Sequence, residues 1–357
     1  MDYGIALVQS ANSWKTVKRA EELGFSHAWF YDSQLLCADI YVAMAAAAVN
    51  TSRIKLGAGV LIPSNRIAPV TANGMASLNQ LAPGRIICGL GTGFTGRRTM
   101  GLKAQKLEHL REHTRIIRAL WRGEMTEWEF ENKRRKIKFL DPGAGLYNTL
   151  DPIPVHFSAF GPKARALTAE LADGWCNFMT SSLINDQARE MTTSWRAAGR
   201  DAEALYMTCF AMGCVLAEGE APDSGRAKAQ AGPIAACVLH WLVEDGDDSA
   251  VPPHLKPLYD EYRKLFLSYQ PADARYLTLH KGHLMYVRPD ESPLVTGDLI
   301  RGTSLTGTVA EIRTQVDTMQ AAGYKQVAIQ LAPGHEEALD QWADAFGLTS
   351  LPRRHAA

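Results

Sequence analysis

The sequence predicts an α/β protein folded as a single (β/α)8 barrel of the TIM type. Three observations carry that prediction. Short apolar runs alternate with helical patterns along most of the chain, the runs number eight, and no glycine-rich dinucleotide fingerprint follows the first of them. Repeated strand–helix units require parallel strands with helices outside, and eight units close into a barrel. The alternative, an open doubly wound sheet, would normally carry the fingerprint. A length of 357 residues suits one large barrel or two average domains.

The elements follow in order. The run at residues 3–9 precedes a helix at 14–23, where Val17, Ala20 and Leu23 recur at helical spacing. Strands at 27–31, 54–61 and 85–90 lead to helices through 43–49, near 70–81 and from about 103 to 121, the last marked by Leu107, Leu110, Ile117 and Leu120. Strands at 155–158 and 175–178 lead to helices at 163–171 and 187–198. A seventh strand covers 205–216; a helix at 309–322, the eighth strand at 326–331 and a helix at 336–346 close the pattern. Gly, Pro, Ser or Asn bound each short run, as at strand ends.

Two segments break the rhythm. Residues 123–141 alternate around Trp128 and Phe130 and carry a basic stretch, an excursion with hairpin character. Residues 221–306 form a long insertion between strands seven and eight, acidic then proline-rich at 246–257 and helical at 257–269. The barrel is therefore expected over 1–350, with a tail at 351–357. Insertions in barrels commonly build the substrate pocket. Trp241, Tyr259, Tyr262, Phe266, Tyr276 and Tyr286 are candidates to line it, with core packing the ordinary use of each.

Lys+Arg and Asp+Glu both total 38, so the chain is formally neutral and has no global attraction to nucleic acid or anionic membrane. The longest strictly apolar stretch, 41–49, is too short to cross a bilayer, and the N-terminus does not read as a signal peptide. The six cysteines form no Cys-x-x-Cys pair, which suits reduced thiols in a cytosol rather than a disulfide framework or zinc site. There is no Gly-x-Ser-x-Gly elbow, Walker loop or His-Glu-x-x-His.

Barrel chemistry sits where strands end at the C-terminal mouth. After strand two, Asp32 is either a polar partner for a cofactor or a helix N-cap, followed by Ser33 and Gln34. Gly57 and Gly59 in strand three permit close approach by a flat ring, or a tight barrel bend. Strand four runs into Gly91-Thr92-Gly93, a weak phosphate fingerprint; Arg97, Arg98 and Lys103 beyond it suit acidic groups or a solvated loop. Strand five ends Ser158-Ala159-Phe160-Gly161-Pro162-Lys163 before a helix. There the helix N-terminus, a glycine and a lysine make the best anion site in the chain, ordinary capping being the other reading. In the insertion, His280 and His283 suit acid–base chemistry or a surface role. A metal is not expected, because no carboxylate cluster at ligand spacing accompanies them. His156 is expected in the barrel wall, and His27 is a weak site candidate.

Four segments in order resemble the bacterial luciferase-like superfamily of flavin- and deazaflavin-dependent oxidoreductases. They are Glu22-Leu23-Gly24-Phe25 through Tyr31-Asp32; Thr51-Ser52-Arg53-Ile54-Lys55-Leu56-Gly57-Ala58-Gly59-Val60; Leu81-Ala82-Pro83-Gly84-Arg85 through Gly91-Thr92-Gly93; and Ser158 to Lys163 through Ala172-Asp173-Gly174-Trp175. Gly307-Thr308 with Ala322-Gly323-Tyr324 fits the family's last unit, and the match weakens over 221–306. The resemblance implies a barrel, usually a homodimer, binding coenzyme F420 or alternatively FMN or FMNH2 at its mouth. It implies that Gly59, Val60 and Leu61 form a bulge behind the ring, with a non-prolyl cis peptide in deazaflavin members. Asp32 is implied beside the ring, Gly91, Thr92 and Gly93 along the ring and its side chain, and Ser158, Ala159, Phe160, Gly161 and Lys163 around the phosphate. Asn177 at the end of strand six is included among the cofactor contacts, and Gln34, Arg97 and Arg98 among those to substrate.

One departure stands out. Many deazaflavin members carry His directly after the aspartate; here Ser33 follows, a poor proton donor near neutral pH. His280, His283 or water are then the candidate donors. Two chemistries follow from the resemblance: hydride transfer between F420 and a small organic substrate, favoured by 57–66 and 85–124, or FMNH2 and O2 monooxygenation with a separate reductase. A cofactor-free binding barrel is the non-enzyme alternative.

Overall fold

The computed structural model describes residues 1–180, 183–245 and 251–348; the expected tail at 351–357 lies outside them. Ten strands are β1 (Asp2–Leu7), β2 (His27–Phe30), β3 (Lys55–Leu61), β4 (Ile86–Leu90), β5 (Thr126–Phe130), β6 (Lys133–Ile137), β7 (Val155–Ser158), β8 (Gly174–Phe178), β9 (Tyr206–Ala211) and β10 (Gln326–Leu331). Eight of them close a parallel barrel in the order β1-β10-β9-β8-β7-β4-β3-β2. The fold class expected from the alternation of runs is the one observed.

The helices are α1 (Trp14–Leu23), α2 (Ile40–Asn50), α3 (Ala68–Leu81), α4 (Thr95–Arg98), α5 (Leu107–Trp121), α6 (Pro162–Leu171), α7 (Ile184–Ala197), α8 (Gly225–Asp245), α9 (Lys256–Ser268), α10 (Arg275–Leu279), α11 (Gly297–Thr303), α12 (Val309–Ala321) and α13 (Ala338–Ala345). Most barrel strands are followed by a helix that packs back on the sheet, and one large hydrophobic core lies between the two layers. A second, smaller core fills the barrel interior around Trp29, Ile87, Cys176 and Phe210. All six cysteines are free thiols. Among the described residues no helix is long and apolar enough to cross a membrane.

The excursion after α5 is an antiparallel hairpin, β5 with β6. Glu131 and Asn132 both take positive φ, 53° and 57°, the pair that a two-residue turn matched to the strand twist requires. Strand seven stops earlier than its apolar pattern suggests. After Ala211 the chain pairs instead with a returning segment: Leu305 N donates to Met212 O at 2.9 Å and Leu216 N to Gly307 O at 2.8 Å. A Cβ at Gly213 would stand 2.1 Å from Leu305 O, so only glycine admits that approach. Between β9 and α12 lie α8 to α11, with a hydrophobic cluster of their own that includes Tyr259 and Tyr262. Both tyrosines are core residues, whereas Trp241 and Tyr286 are about half exposed.

The bottom of the barrel holds a buried carboxylate that the sequence reading overlooked. Glu21 accepts from the amides of Ser52 at 3.0 Å, Arg53 at 2.7 Å and Ile54 at 2.8 Å, organising the chain as it enters β3. Burial pushes its carboxyl up, but these three amides together outweigh that and leave it below the ordinary range. Glu21→Gln is expected to cost about 2 kcal/mol in urea unfolding, because a neutral amide oxygen accepts these bonds more weakly than a carboxylate and its NH2 would face the Ser52 donors that Oε1 now accepts from. A midpoint equal to that of the unsubstituted protein would show that the cluster does not hold this junction.

Candidate functional site at the barrel mouth

An aromatic column runs from floor to rim. Trp29 is fully buried, and its indole N–H donates to Gln326 Oε1 at 3.1 Å. Its ring meets Phe210 edge-on at 5.2 Å; Phe210 stacks on Phe178 at 4.9 Å, and Phe178 approaches Phe160 at 6.5 Å. The column explains the glycines of β3. A Cβ at Gly57 would stand 2.3 Å from the Trp29 ring, and one at Gly59 3.3 Å from Phe210. The space at Gly57 thus belongs to interior packing, which corrects the reading of that glycine as a seat for a flat ring.

The bulge itself is present. Pairing between β3 and β4 shifts register between Ala58 and Leu61, and the Gly59–Val60 peptide is cis. The Val60 side chain crosses to the end of β4, where a Cβ at Gly91, just beyond the strand, would stand 2.7 Å from it. Gly93 takes φ +84°, a conformation glycine adopts readily. The structure therefore brings Gly59, Val60, Leu61 and Gly91 into one patch at the mouth, with Thr92 half-buried beside them.

The loops above β2, β3 and β4 are laced together by the residues expected to meet ligands. Asp32 is buried and does not cap α2; Asp39 does, accepting from the amides of Tyr41 and Val42. Asp32 instead binds Arg66 at 2.7 Å through one oxygen and Asn65 Nδ2 at 3.0 Å through the other. Arg66 went unnoticed in the sequence; burial lowers its pKa, yet the charge and hydrogen bond of Asp32, with Tyr41 and Asp39, together outweigh this and raise it. Ser33 is half-buried, and its carbonyl accepts from the Leu36 and Cys37 amides. Gln34 is not a free substrate contact: its Nε2 donates to Gly96 O at 2.6 Å and its Oε1 accepts from Asn65 at 2.7 Å. Nor do the arginines wait for an acid. Arg97 donates to Lys103 O at 2.6 Å and Ser64 Oγ at 2.7 Å, and Arg98 pairs with Glu244 at 2.6 Å across to α8. Short-range sequence cannot show such commitments, since each partner lies on another loop.

The end of β7 leaves the N-terminus of α6 open. Gly161 caps α6 with no side-chain hydrogen bond, Pro162 occupies the first turn, and no acid stands there. A Cβ at Gly161 would meet nothing within 4 Å, so the turn faces open space. Phe160 is 50% exposed, and Lys163 is exposed beside it. Arg165, which the sequence reading passed over, folds its guanidinium back onto Phe160 O and pairs with Glu190 at 2.7 Å. Ala159 is buried, its carbonyl accepting from the Trp175 indole at 2.8 Å, and Ser158 is half-buried. Asn177 does not join them. It is fully buried, donating to Gln187 Oε1 at 2.8 Å and Tyr324 OH at 3.0 Å while accepting from Phe178 N, so it is a wall residue.

His280 and His283 meet a third histidine, His240 of α8, and all three are buried. His283 reaches the mouth through Thr95 Oγ1 at 3.0 Å. Desolvation, then the neighbouring histidines and Arg98, hold its pKa well below the ordinary value, so His283 stays neutral and is no acid at pH 7. That corrects its assignment as a proton donor. Carboxylates do accompany the cluster, contrary to the sequence expectation: Glu244 lies 2.8 Å from His280 Nε2 and Glu291 2.5 Å from His240 Nε2. His156 packs in the barrel wall as expected, against Trp29 and Tyr206, and His27 is likewise buried below the mouth.

A family model described as luciferase-like monooxygenase matches residues 11–326. Over 347 residues the chain is 26% identical to a 5,10-methylenetetrahydromethanopterin reductase of Methanolobus tindarius, covering 95% of this chain and 97% of the other. Over 145 residues it is 35% identical to an F420-dependent glucose-6-phosphate dehydrogenase of Nakamurella multipartita, covering 39% of this chain and 40% of the other. In fold it is similar to the coenzyme F420 dependent tetrahydromethanopterin reductase of Methanopyrus kandleri, with a TM-score of 0.71 at 20% identity over 96% of this chain and 97% of that one.

Proposed function

The chain belongs to the luciferase-like monooxygenase family, and on that premise we propose that it is an oxidoreductase that binds coenzyme F420 and exchanges a hydride with a small organic substrate. The observation that carries this reading is the end-to-end similarity to a methylenetetrahydromethanopterin reductase. The shorter, closer match to an F420-dependent dehydrogenase supports it.

The β7–α6 turn fits a phosphate-bearing coenzyme. Its first helical turn lacks an acid, Gly161 opens onto free space, and the exposed Lys163 brings positive charge. The N–H groups of Gly161, Lys163 and Ala164 would hold the phosphate, Pro162 having none to donate, and the Val60–Gly91 patch would back the ring. When bound, the reduced deazaflavin supplies two electrons as a hydride. The chain's own work is positioning and drying. The Asp32–Arg66 pair and the Gln34 and Arg97 hydrogen bonds hold three loops in fixed relation. Phe178, Phe210 and Trp29 close the barrel beneath against water. With His283 held neutral inside its cluster, His280, which lies against Glu244, or water at the mouth would deliver any proton the substrate takes up.

The experiment is turnover of candidate alcohols, imines and activated alkenes under anaerobic conditions, followed by F420 absorbance. Deazaflavin-dependent turnover without oxygen is expected. Turnover solely with FMNH2 and O2 would replace this reading by its runner-up, a monooxygenase served by a separate reductase.

A homodimer belongs to the same reading. Helix α2 is apolar all round, and such a helix normally lies buried; yet Val42 and Val49 on it are 57% and 65% exposed, and Val70 on the neighbouring α3 is 48% exposed. Sedimentation of the native chain is expected to give a dimer, and Val42→Glu with Val49→Glu a monomer. A monomeric native chain would overturn this point. The free thiols and neutral charge suit a reducing cytosol.

A further inference from the structure

We infer that His240, His280 and His283 form a binding site for a divalent first-row transition cation, zinc above all. The three rings come from separate stretches, α8 and the turn after α10, and their donor atoms lie within 4.8 Å of one another. His283 Nδ1 faces His240 Nδ1 at 3.4 Å and His280 Nδ1 at 3.3 Å. Zinc–nitrogen bonds of about 2.0–2.1 Å at tetrahedral angles place their nitrogens roughly 3.3–3.4 Å apart. These two edges thus have the length that a shared zinc ion imposes.

The hydrogen bonds around the rings point the same way. Glu291 accepts from His240 Nε2, and Glu244 from His280 Nε2. A carboxylate accepts only, so in each neutral ring the proton sits on Nε2 and the Nδ1 lone pair points inward. The single Nδ1 hydrogen that His283 can offer satisfies one of those two lone pairs and leaves the other bare in a buried site. With its proton on Nε2 instead, donated to Thr95 Oγ1 at 3.0 Å, His283 adds a third inward lone pair. Three imidazoles with carboxylates fixing the tautomer of two is the arrangement of histidine-ligated zinc, where the outer carboxylates orient the rings. Both carboxylates are themselves held. Glu291 is bound by Tyr262 at 2.5 Å and Arg288 at 2.9 Å, and Glu244 by Arg98 at 2.6 Å. Those arginines already balance the two acids, so a bound cation keeps its positive charge, which favours a water that readily loses a proton as fourth ligand. Cys237 Sγ lies 3.4 Å from His283 Nε2, on the outer side of the ring, and is not a ligand in this geometry. Nothing in the residue spacing announces the site, since His240 is 40 residues from its partners in sequence and Glu291 further still.

The test uses the full chain without a histidine tag and without coenzyme, so its failure leaves the oxidoreductase reading untouched. Chelator-treated protein is dialysed against zinc, passed through a desalting column and analysed for metal; a parallel sample receives cobalt(II). One equivalent of zinc per chain is expected, together with the intense visible bands of four-coordinate cobalt. His283→Ala and His240→Ala lose the metal, Glu291→Gln weakens binding about 10-fold or more, and His335→Ala, at a half-buried histidine outside the cluster, retains it in full. No zinc above the chelated control in the native chain, or equal loss in His335→Ala, overturns the site. The cobalt spectrum is read on native protein, so a variant that fails to fold does not decide the outcome.

Discussion

Gly161→Asp is expected to weaken coenzyme binding by about 100-fold while leaving the apoprotein as stable as before or slightly more so. The two effects have opposite signs for one reason. Gly161 occupies the N-cap of α6 with φ −84° and ψ 162°, a conformation any residue adopts. Aspartate is among the best N-caps: its carboxylate would accept from the first-turn amides and complement the positive end of the helix dipole, a gain of a few tenths of a kcal/mol over glycine. A Cβ there meets nothing within 4 Å, so the side chain is accommodated without strain. The same carboxylate would occupy the amides a phosphate needs and oppose it with like charge. Fluorescence titration with F420 measures the affinity, and thermal unfolding without coenzyme measures the stability. Unchanged affinity would place the phosphate elsewhere; loss of affinity together with loss of stability would reduce the result to misfolding.

The second large effect is acid sensitivity from buried neutral histidines. Burial depresses His113 to about 4 and His156 to about 4, against an ordinary 6.5. Desolvation likewise lowers His27, to about 3, and His240. The sign follows from proton counting. In the unfolded chain these rings protonate below about 6.5, while in the folded chain they stay neutral, so the unfolded state binds more protons and stability falls as pH falls. The contribution is fully present above 6.5 and is lost progressively down to about 4 for His113 and His156. For His156 alone, packed against Trp29 and Tyr206, the loss at pH 4 is on the order of 3 kcal/mol. The depressed carboxyls of Glu21, Glu244 and Glu291 act in a lower window, losing their contribution only as pH drops below the ordinary carboxylate range. Urea unfolding at a series of pH values should therefore show a steady fall between pH 6.5 and 4, and His156→Gln should make it shallower by its own share. A flat profile across that range would mean that these rings are solvated in the folded protein.

The barrel was legible because its signals are local. Eight apolar runs of strand length, each bounded by turn residues, need nothing beyond their neighbours in sequence to be read. The same holds for the β7–α6 turn, where a strand end, Gly161, Pro162 and Lys163 stand together and the structure keeps them open. The family segments put the bulge at Gly59–Val60, where the register shift is found.

What residue order alone determined is thus the alternation that forces a parallel closed sheet, and the open turn at Gly161–Lys163 built from consecutive residues. Tertiary structure alone decided which polar side chains are spoken for. Asp32 meets Arg66, Gln34 meets Gly96 and Arg98 meets Glu244 only when different loops converge over the mouth. Likewise Asn177 turns into the wall, and His240 joins His280 and His283 with two carboxylates behind them. Hydrophobic periodicity and turn chemistry act over a few residues, whereas hydrogen bonds and ion pairs fall to 3 Å or less between groups that chain connectivity leaves far apart, and only the closed barrel sets those distances.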